Sequence, residues 1–502
     1  MGMAPKHLKE AARQETDVNR MMALVFVVGF FVLALAPLVF MPFVQEDVSA
    51  EKRELAAAPS IVVDGRPNIN VLSDTGDYFV DHFAFRGALV DLDATIKQRL
   101  FMTSSTKNVV VGNDGWLYYA GTLNDYQRRN EMSEHELRNI VANVGLMQEY
   151  VMGQGKGFVF AIAPNKNTLY PQHMPYYEMA VTSPSNLDRV MPMLMERGIQ
   201  AVDLREAFAA RDDVLYYARD SHWNSEGALL VYRLLSSKLL SSPAPYPDQS
   251  EGTSGHVGDV DAMLHPQTAQ PEDDPHWPLA DSFSFSTEGV TSVEADNFTT
   301  MGSAPGANGR LVMYRDSFGN NLLPYFASAY QQAKFTKLVP YDMGPSTMAE
   351  ADDVVVERAE RHLDLFATKP PYLPSPQRSI ESLGDPRGGA TDVHVSKNGP
   401  YLVVEGTIDS ACASEEDGIF VELTDVDGVP TSFEAFHVSE ENDATEDSEG
   451  QKDTQNESVT RGDWGYRALV LLDERGPSKY ASVRILVGSV GQVHEVAAAR
   501  LV

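Results

Sequence analysis

Asp220-Ser221-His222-Trp223 and, further along, Arg315-Asp316-Ser317-Phe318-Gly319 are the two segments of this 502-residue chain whose side chains could do chemistry together. Asp220 and His222 stand two apart, which in an extended segment puts both side chains on one face, where an acid orients an imidazole. The run Leu311-Val312-Met313-Tyr314 reads as a buried strand, and the chain beyond Asp-Ser-Phe-Gly reads as a helix beginning at Leu322. A serine in that turn sits at a helix N-terminus, where backbone N–H groups and the helix dipole stabilise an oxyanion beside an activated hydroxyl. The chemistry that suits such a set is acyl transfer. An isolated Asp-Ser pair is more often a turn or a cap, so the reading rests on all three residues together.

These segments need a scaffold, and the pattern around them supplies one. Short, continuously apolar runs at 157–163, 200–204, 311–314, 335–339 and 353–356 alternate with helical periodicity at 134–154, 186–197 and 225–240. Such alternation predicts a mostly parallel sheet covered on both faces, with ligands at the carboxyl ends of its strands. Residues 108–119 read as a hairpin, and 77–100 as helix lying on the domain. Residues 241–310, rich in Pro, Gly, Asp and Ser, interrupt the alternation; a structureless loop of that length is improbable, so an excursion with short strands or a lid is expected. From about residue 376 seven short β segments separated by turn residues predict an all-β sandwich.

Composition narrows the function classes. A formal charge of −31 argues against nucleic acid, which needs clustered Lys and Arg. Eight of the 71 acidic residues are concentrated in 439–460, read as a solvated, disordered loop. The single cysteine, Cys412, leaves no intrachain disulfide and no Cys-based zinc site, and the histidines lack metal-ligand spacing. Residues 21–41 carry no charge and, at about 1.5 Å per residue, are long enough for a hydrocarbon core of roughly 30 Å. Lys6, Lys9, Arg13 and Arg20 precede them, against Lys52 and Arg53 after, which places the N-terminus in the cytoplasm. The apolar run is longer than a signal-peptide core and lacks a clear cleavage site, so a retained anchor is expected, with a cleaved signal as its rival.

With these segments in hand the chain resembles the SGNH-hydrolase-like proteins of alginate O-acetylation, the J/X family, also described by its Asp-x-His-Trp motif. The resemblance covers roughly 50–365. It rests on Phe85-Arg86, Gly115-Trp116-Leu117-Tyr118, Ala163-Pro164-Asn165-Lys166 with Tyr170 and Pro175, Asp220-Ser221-His222-Trp223, Arg315-Asp316-Ser317-Phe318, and Asp353 to Glu357 through Glu360-Arg361. Family members look like circular permutants of ordinary SGNH esterases, with the Asp-x-His block before the serine block. The resemblance implies that Ser317 is the nucleophile, His222 its general base and Asp220 the group that orients the imidazole, with no metal or cofactor. It also implies a partner, a multi-pass membrane acyltransferase that delivers acetyl groups. Two positions depart from ordinary SGNH enzymes. Arg315 replaces the Gly before Asp-Ser, and Glu357-Arg358 follow the strand where an oxyanion-stabilising Asn usually stands. Ser317 N–H is then the expected oxyanion donor, with Asn320 and Arg315 as weaker candidates.

Other residues have readings of their own. Lys166 is either a holder of a substrate carboxylate or phosphate, or a solvated loop charge. Trp223 packs beneath the histidine or stacks on sugar. Glu357, Glu360 and Arg361 are expected as an ion-pair cluster at a helix start. The expected organisation is a cytoplasmic tail (1–20), an anchor (21–41), a linker (42–75), a three-layer SGNH-like α/β domain (76–370) and a β-sandwich (376–502) with carbohydrate binding as one role. The expected function is extracytoplasmic O-acetyl transfer to an exported polysaccharide or cell-envelope glycan. The rivals are a carbohydrate O-acetylesterase with the same triad and a non-catalytic glycan-binding or export scaffold.

Overall fold

The computed structural model describes residues 6–44, 56–63, 65–241, 245–388, 391–439 and 463–501, so most of the acidic stretch 439–460, and Lys52 and Arg53, lie outside the described residues. The chain divides into two compact units, residues up to 111 with 257–271, and 112–256 with 272–502. In the first, helix α1 (Lys6–Phe40) includes one stretch, Arg20–Phe40, long and apolar enough to cross a membrane, with Pro37 near its end. Two shorter helices follow, α2 (Val71–His82) and α3 (Arg86–Ile96).

The second unit contains a seven-stranded sheet. In chain order its strands are β1 (Gly157–Ala163), β2 (Ala201–Asp203), β3 (Phe283–Phe285), β4 (Asn297–Gly302), β5 (Arg310–Tyr314), β6 (Gln332–Thr336) and β7 (Asp353–Ala359), arranged β2-β1-β7-β5-β6-β4-β3. The first five in that spatial order run parallel, and β4 and β3 add antiparallel at one edge. Alternation along β1 explains the layers. Phe158, Phe160 and Ile162 pack on one face with helices α4 (Glu134–Met152) and α5 (Asn186–Glu196). Val159, Ala161 and Ala163 pack on the other, with α6 (Ser225–Ser236) and α7 (Gly319–Ala329). Capping boxes at Ser133 and Ser185 start α4 and α5.

The structure differs from the sequence reading at several edges. The strand expected at 335–339 is β6, shifted three residues earlier, and α6 ends at Ser236 rather than continuing to 240. Strand β7 continues through Glu357 and Arg358, paired with Ala161 and Ile162 of β1, so Glu357 lies in the sheet and not at a helix start. The sheet takes it because its neighbours continue there and satisfy the backbone, whatever the side chain prefers. The strands β3 and β4 come from the 241–310 excursion.

From Gln377 onward the chain is β-rich. Among the described residues, nine strands form a five-stranded and a four-stranded antiparallel sheet around one core that includes Val404, Val421, Leu423, Ala468 and Ile485. This region meets α4 through Asn143, whose amide donates to Phe366 O and His437 O and accepts from His437 N.

Candidate active site

Asp220 and His222 are not in a strand. Tyr216 and Trp223 form an isolated antiparallel bridge, and 218–222 bulge from it as a tight loop. The carboxylate itself shapes that loop: Asp220 Oδ1 accepts from both the backbone N–H of His222 at 2.8 Å and its ring Nδ1 at 2.7 Å. The sequence reading paired the right residues by strand alternation, whereas a side-chain-closed turn brings them together. Ser221 Oγ lies 3.2 Å from the same Nδ1. Burial alone would raise the Asp220 pKa, but His222 and then His256 outweigh it and hold the carboxyl well below the usual range. An ionised carboxylate only accepts, so Nδ1 of His222 carries a proton and donates it to Asp220, and Nε2 is the ring's other nitrogen.

His256 is the residue that sequence reasoning missed. Its Nε2 donates to Asp220 Oδ2 at 2.8 Å, and its ring stacks on Tyr217 with centroids 4.0 Å apart. It comes from the 241–310 excursion, which supplies two more supports. Glu272 accepts from the N–H groups of Ala218 and Arg219, each at 2.8 Å, and Asp274 accepts from Ser225 N–H and Oγ at 3.0 and 2.6 Å. The Pro- and Asp-rich composition signalled a loop but not these targets.

Lys166 is neither a solvated charge nor aimed at a substrate anion. It is 3% exposed. Its ammonium donates to Tyr217 O, Ala218 O and Asp220 O at 3.0, 2.8 and 2.7 Å, beside the rings of Trp116 and Tyr118. Three hydrogens meet three carbonyls, so this lysine fastens the acid–base loop from beneath. Its own segment is held by Glu360, which accepts from Asn165 N–H and Thr168 Oγ1 at 2.8 Å each, and whose pKa burial and Asp125 push up to about 7.

Ser317 follows β5, and α7 begins at Gly319, three residues earlier than expected. Asp316 shapes this turn by accepting from Phe318 N–H at 2.9 Å and from Ala359 N–H of β7 at 2.8 Å. Burial opposes the Asp316 charge, but Arg358, Arg361 and His362 with the Ala359 N–H hold its pKa below the ordinary value. Glu357 beside it goes the other way, pushed well up by burial and by Asp316. The two carboxyls of this pair are thus pushed in opposite directions.

Arg315 is committed to partners inside the protein. It is fully buried, and its guanidinium donates to Val293 O and Ala295 O at 2.8 Å, Asp316 O at 3.1 Å and Asn320 Oδ1 at 2.5 Å. The following Gly319 is required because a Cβ there would lie 2.6 Å from Arg315 Cδ. With its amide oxygen on Arg315, Asn320 has its NH₂ group turned the other way, which leaves it a donor candidate that Arg315 itself is not.

The two halves meet through Phe318 and Asn321. The His222 ring lies against Phe318, the neighbour of Ser317, with centroids 4.7 Å apart, and Asn321 Nδ2 of α7 donates to Trp223 O at 2.7 Å. Trp223 is fully buried against Phe318, Phe208 and Tyr216, which rules it out as a platform for sugar and makes it the floor of the loop.

Parts of the chain are similar to known proteins. Residues 109–296 match the family model described as "SGNH hydrolase-like domain, acetyltransferase AlgX", a segment that contains Asp220, His222 and His256 and ends before Ser317. The chain is 24% identical over 195 residues to the "Probable alginate O-acetylase AlgJ" of Pseudomonas syringae pv. tomato, covering 37% of this chain and 49% of that one. It is 29% identical over 133 residues to the protein of the same description from Pseudomonas aeruginosa, covering 26% and 33%. The chain therefore spans about half or less of the length of these relatives. Among solved structures it is similar to the O-acetyltransferase domain of Pseudomonas putida AlgJ, with a TM-score of 0.35, 16% identity, and coverage of 51% of this chain and 92% of that one. It is also similar to Bacillus cereus PatB1 with a sulfonyl adduct, with a TM-score of 0.38, 13% identity, and coverage of 51% and 98%.

Proposed function

We propose that this chain, similar over part of its length to AlgX and AlgJ proteins, is an extracytoplasmic O-acetyltransferase that modifies hydroxyls of an exported polysaccharide through a Ser317–His222–Asp220 acyl-enzyme. The observation that carries the reading is the 2.7 Å bond from Asp220 to His222 Nδ1, on a ring that abuts the residue next to Ser317. His222 Nε2 takes the Ser317 proton as Oγ attacks the acetyl carbonyl. The proton then passes to the departing donor oxygen as its bond to the acetyl carbon breaks, leaving acetyl-Ser317. In the second half a sugar hydroxyl attacks the ester, gives its proton to His222, and Ser317 leaves as alkoxide and recovers that proton. The first turn of α7, with Ser317 N–H and the Asn320 amide, is the place for the oxyanion.

His256 belongs to this proposal as a positioning residue. Its bond to Oδ2 fixes the carboxylate plane so that Oδ1 stays on Nδ1, and hydrogen bonds to charged groups contribute about 1.5 kcal/mol or more. His256→Ala should therefore lower kcat roughly tenfold with little change in KM. His256→Gln, which keeps an N–H at the end of the chain, should recover most of the loss. Equal rates for all three proteins would remove His256 from the machinery.

The apolar stretch Arg20–Phe40 supports a membrane anchor, the positive residues Lys6, Lys9, Arg13 and Arg20 before it favour the domain outside, and the donor proposed on the family resemblance is a multi-pass membrane acyltransferase. The function is tested by following the acetyl group. With a model acetyl ester as donor and an oligouronate as acceptor, mass spectrometry should find acetyl first on Ser317 and then on the sugar. Acetate released with no sugar ester would make the protein an esterase. No adduct at Ser317 with either the ester or a serine-directed sulfonyl fluoride would leave a non-catalytic scaffold.

A further inference from the structure

Helix α3 is amphipathic in the reverse sense. Its buried positions are Gly87, Asp91 and Ala94, with Gln267 pressed against Gly87 and its N–H 3.5 Å from Asp91 Oδ1. The exposed positions carry the apolar residues. Phe85, Leu89, Leu92 and Ile96, with Leu100 in the turn that continues the helix, recur at three- and four-residue spacing and are 42–72% exposed. Phe101 and Met102 extend the stripe. Covering a Leu, Ile or Phe side chain is worth about 1.5–3 kcal/mol, and a contiguous patch of this kind marks an interaction surface.

We propose that this stripe lies in the headgroup–acyl boundary of the membrane, as a second, interfacial attachment next to the span. The proposal rests on the reading of Arg20–Phe40 as a membrane helix. Continuity with that helix argues for lipid as the occupant. The Phe85 ring meets Phe40, the last residue of α1, with centroids 5.7 Å apart, and Ala84 N–H donates to Pro37 O at 3.3 Å. The stripe thus begins where the apolar span ends, at the depth of the interface. Charge argues the same way. In a chain of net charge −31, residues 85–107 carry Arg86, Lys97, Arg99 and Lys107 against Asp91 and Asp93. Asp91 is buried and Asp93 is paired with Lys97, and Arg99 and Lys107 keep the balance of the stretch 91–107 positive, which favours anionic lipid headgroups.

The native tryptophans make a direct test possible, because Trp116, Trp223, Trp277 and Trp464 are all buried. Full-length Leu92→Trp and Ile96→Trp proteins would be reconstituted into phosphatidylcholine–phosphatidylglycerol vesicles with and without brominated acyl chains. The added tryptophan should be blue-shifted and quenched at least twofold by the brominated lipid, while wild-type emission stays unchanged. Retained protein whose new tryptophan is unquenched overturns the proposal. A blue shift without quenching also overturns it, and assigns the stripe to a protein partner or a second copy of the chain. If instead the protein washes off the vesicles at alkaline pH, the anchor reading falls and takes this one with it, an outcome separable from failed quenching in retained protein.

Discussion

Ser317→Ala should abolish acetylation of the glycan, with a loss on the order of 10⁴-fold or more in kcat/KM, about 5.5 kcal/mol of transition-state stabilisation. Nothing else in the described turn can replace the lost group. Asp316 is engaged by two backbone N–H groups, and Ser221 lies on the Nδ1 side of His222, away from Nε2. The substitution should leave the fold intact, because the first turn of α7 has no side-chain cap to lose and Phe318, not Ser317, precedes the helix. A change in stability beyond about 0.5 kcal/mol is therefore not expected. The check is acetyl transfer to sugar by the variant, measured beside its urea midpoint. Transfer at the wild-type rate would refute the acyl-serine, whereas lost transfer together with a collapsed midpoint would trace the defect to folding.

The second large effect is on stability. Arg315→Met should destabilise the protein by about 3–5 kcal/mol, because it removes a buried cation whose partners stay behind. Val293 O, Ala295 O and Asn320 Oδ1 would lose their donor, and Asp316 would lose one of the nearby positive charges. Burial already pushes the Arg315 pKa down to about 10, so the site tolerates the charge only through these contacts. Arg315→Lys should recover little, since one ammonium cannot reach two carbonyls on the 293–295 segment and the Asn320 amide together. Urea denaturation reads the outcome. A midpoint unchanged in Arg315→Met would mean that the guanidinium is not what holds 293–295 to the serine turn.

Arg315 also shows where sequence reasoning stops. Beside Asp-Ser it read as a weaker candidate for an oxyanion donor, whereas its guanidinium is engaged by the carbonyls of the 293–295 segment. Lys166 followed the same course. Its charge suggested anion binding, but the carbonyls that claim it lie more than 50 positions away, in a loop whose shape no local pattern announces. His256 left no signal at all. It stands 36 residues from Asp220 in a stretch that reads as an irregular excursion.

What the sequence determined by itself is what local spacing controls. Continuous apolar runs marked the parallel strands, because a sheet buried on both faces is built mainly from apolar residues. The two-residue interval between Asp220 and His222 allowed their bond, and an uncharged stretch of membrane length marked Arg20–Phe40. Tertiary structure alone decided which polar side chains are spent on partners inside the protein. That choice depends on carbonyls and amides brought together from distant segments, whose desolvation must be matched group by group, and such matches have no periodicity along the chain.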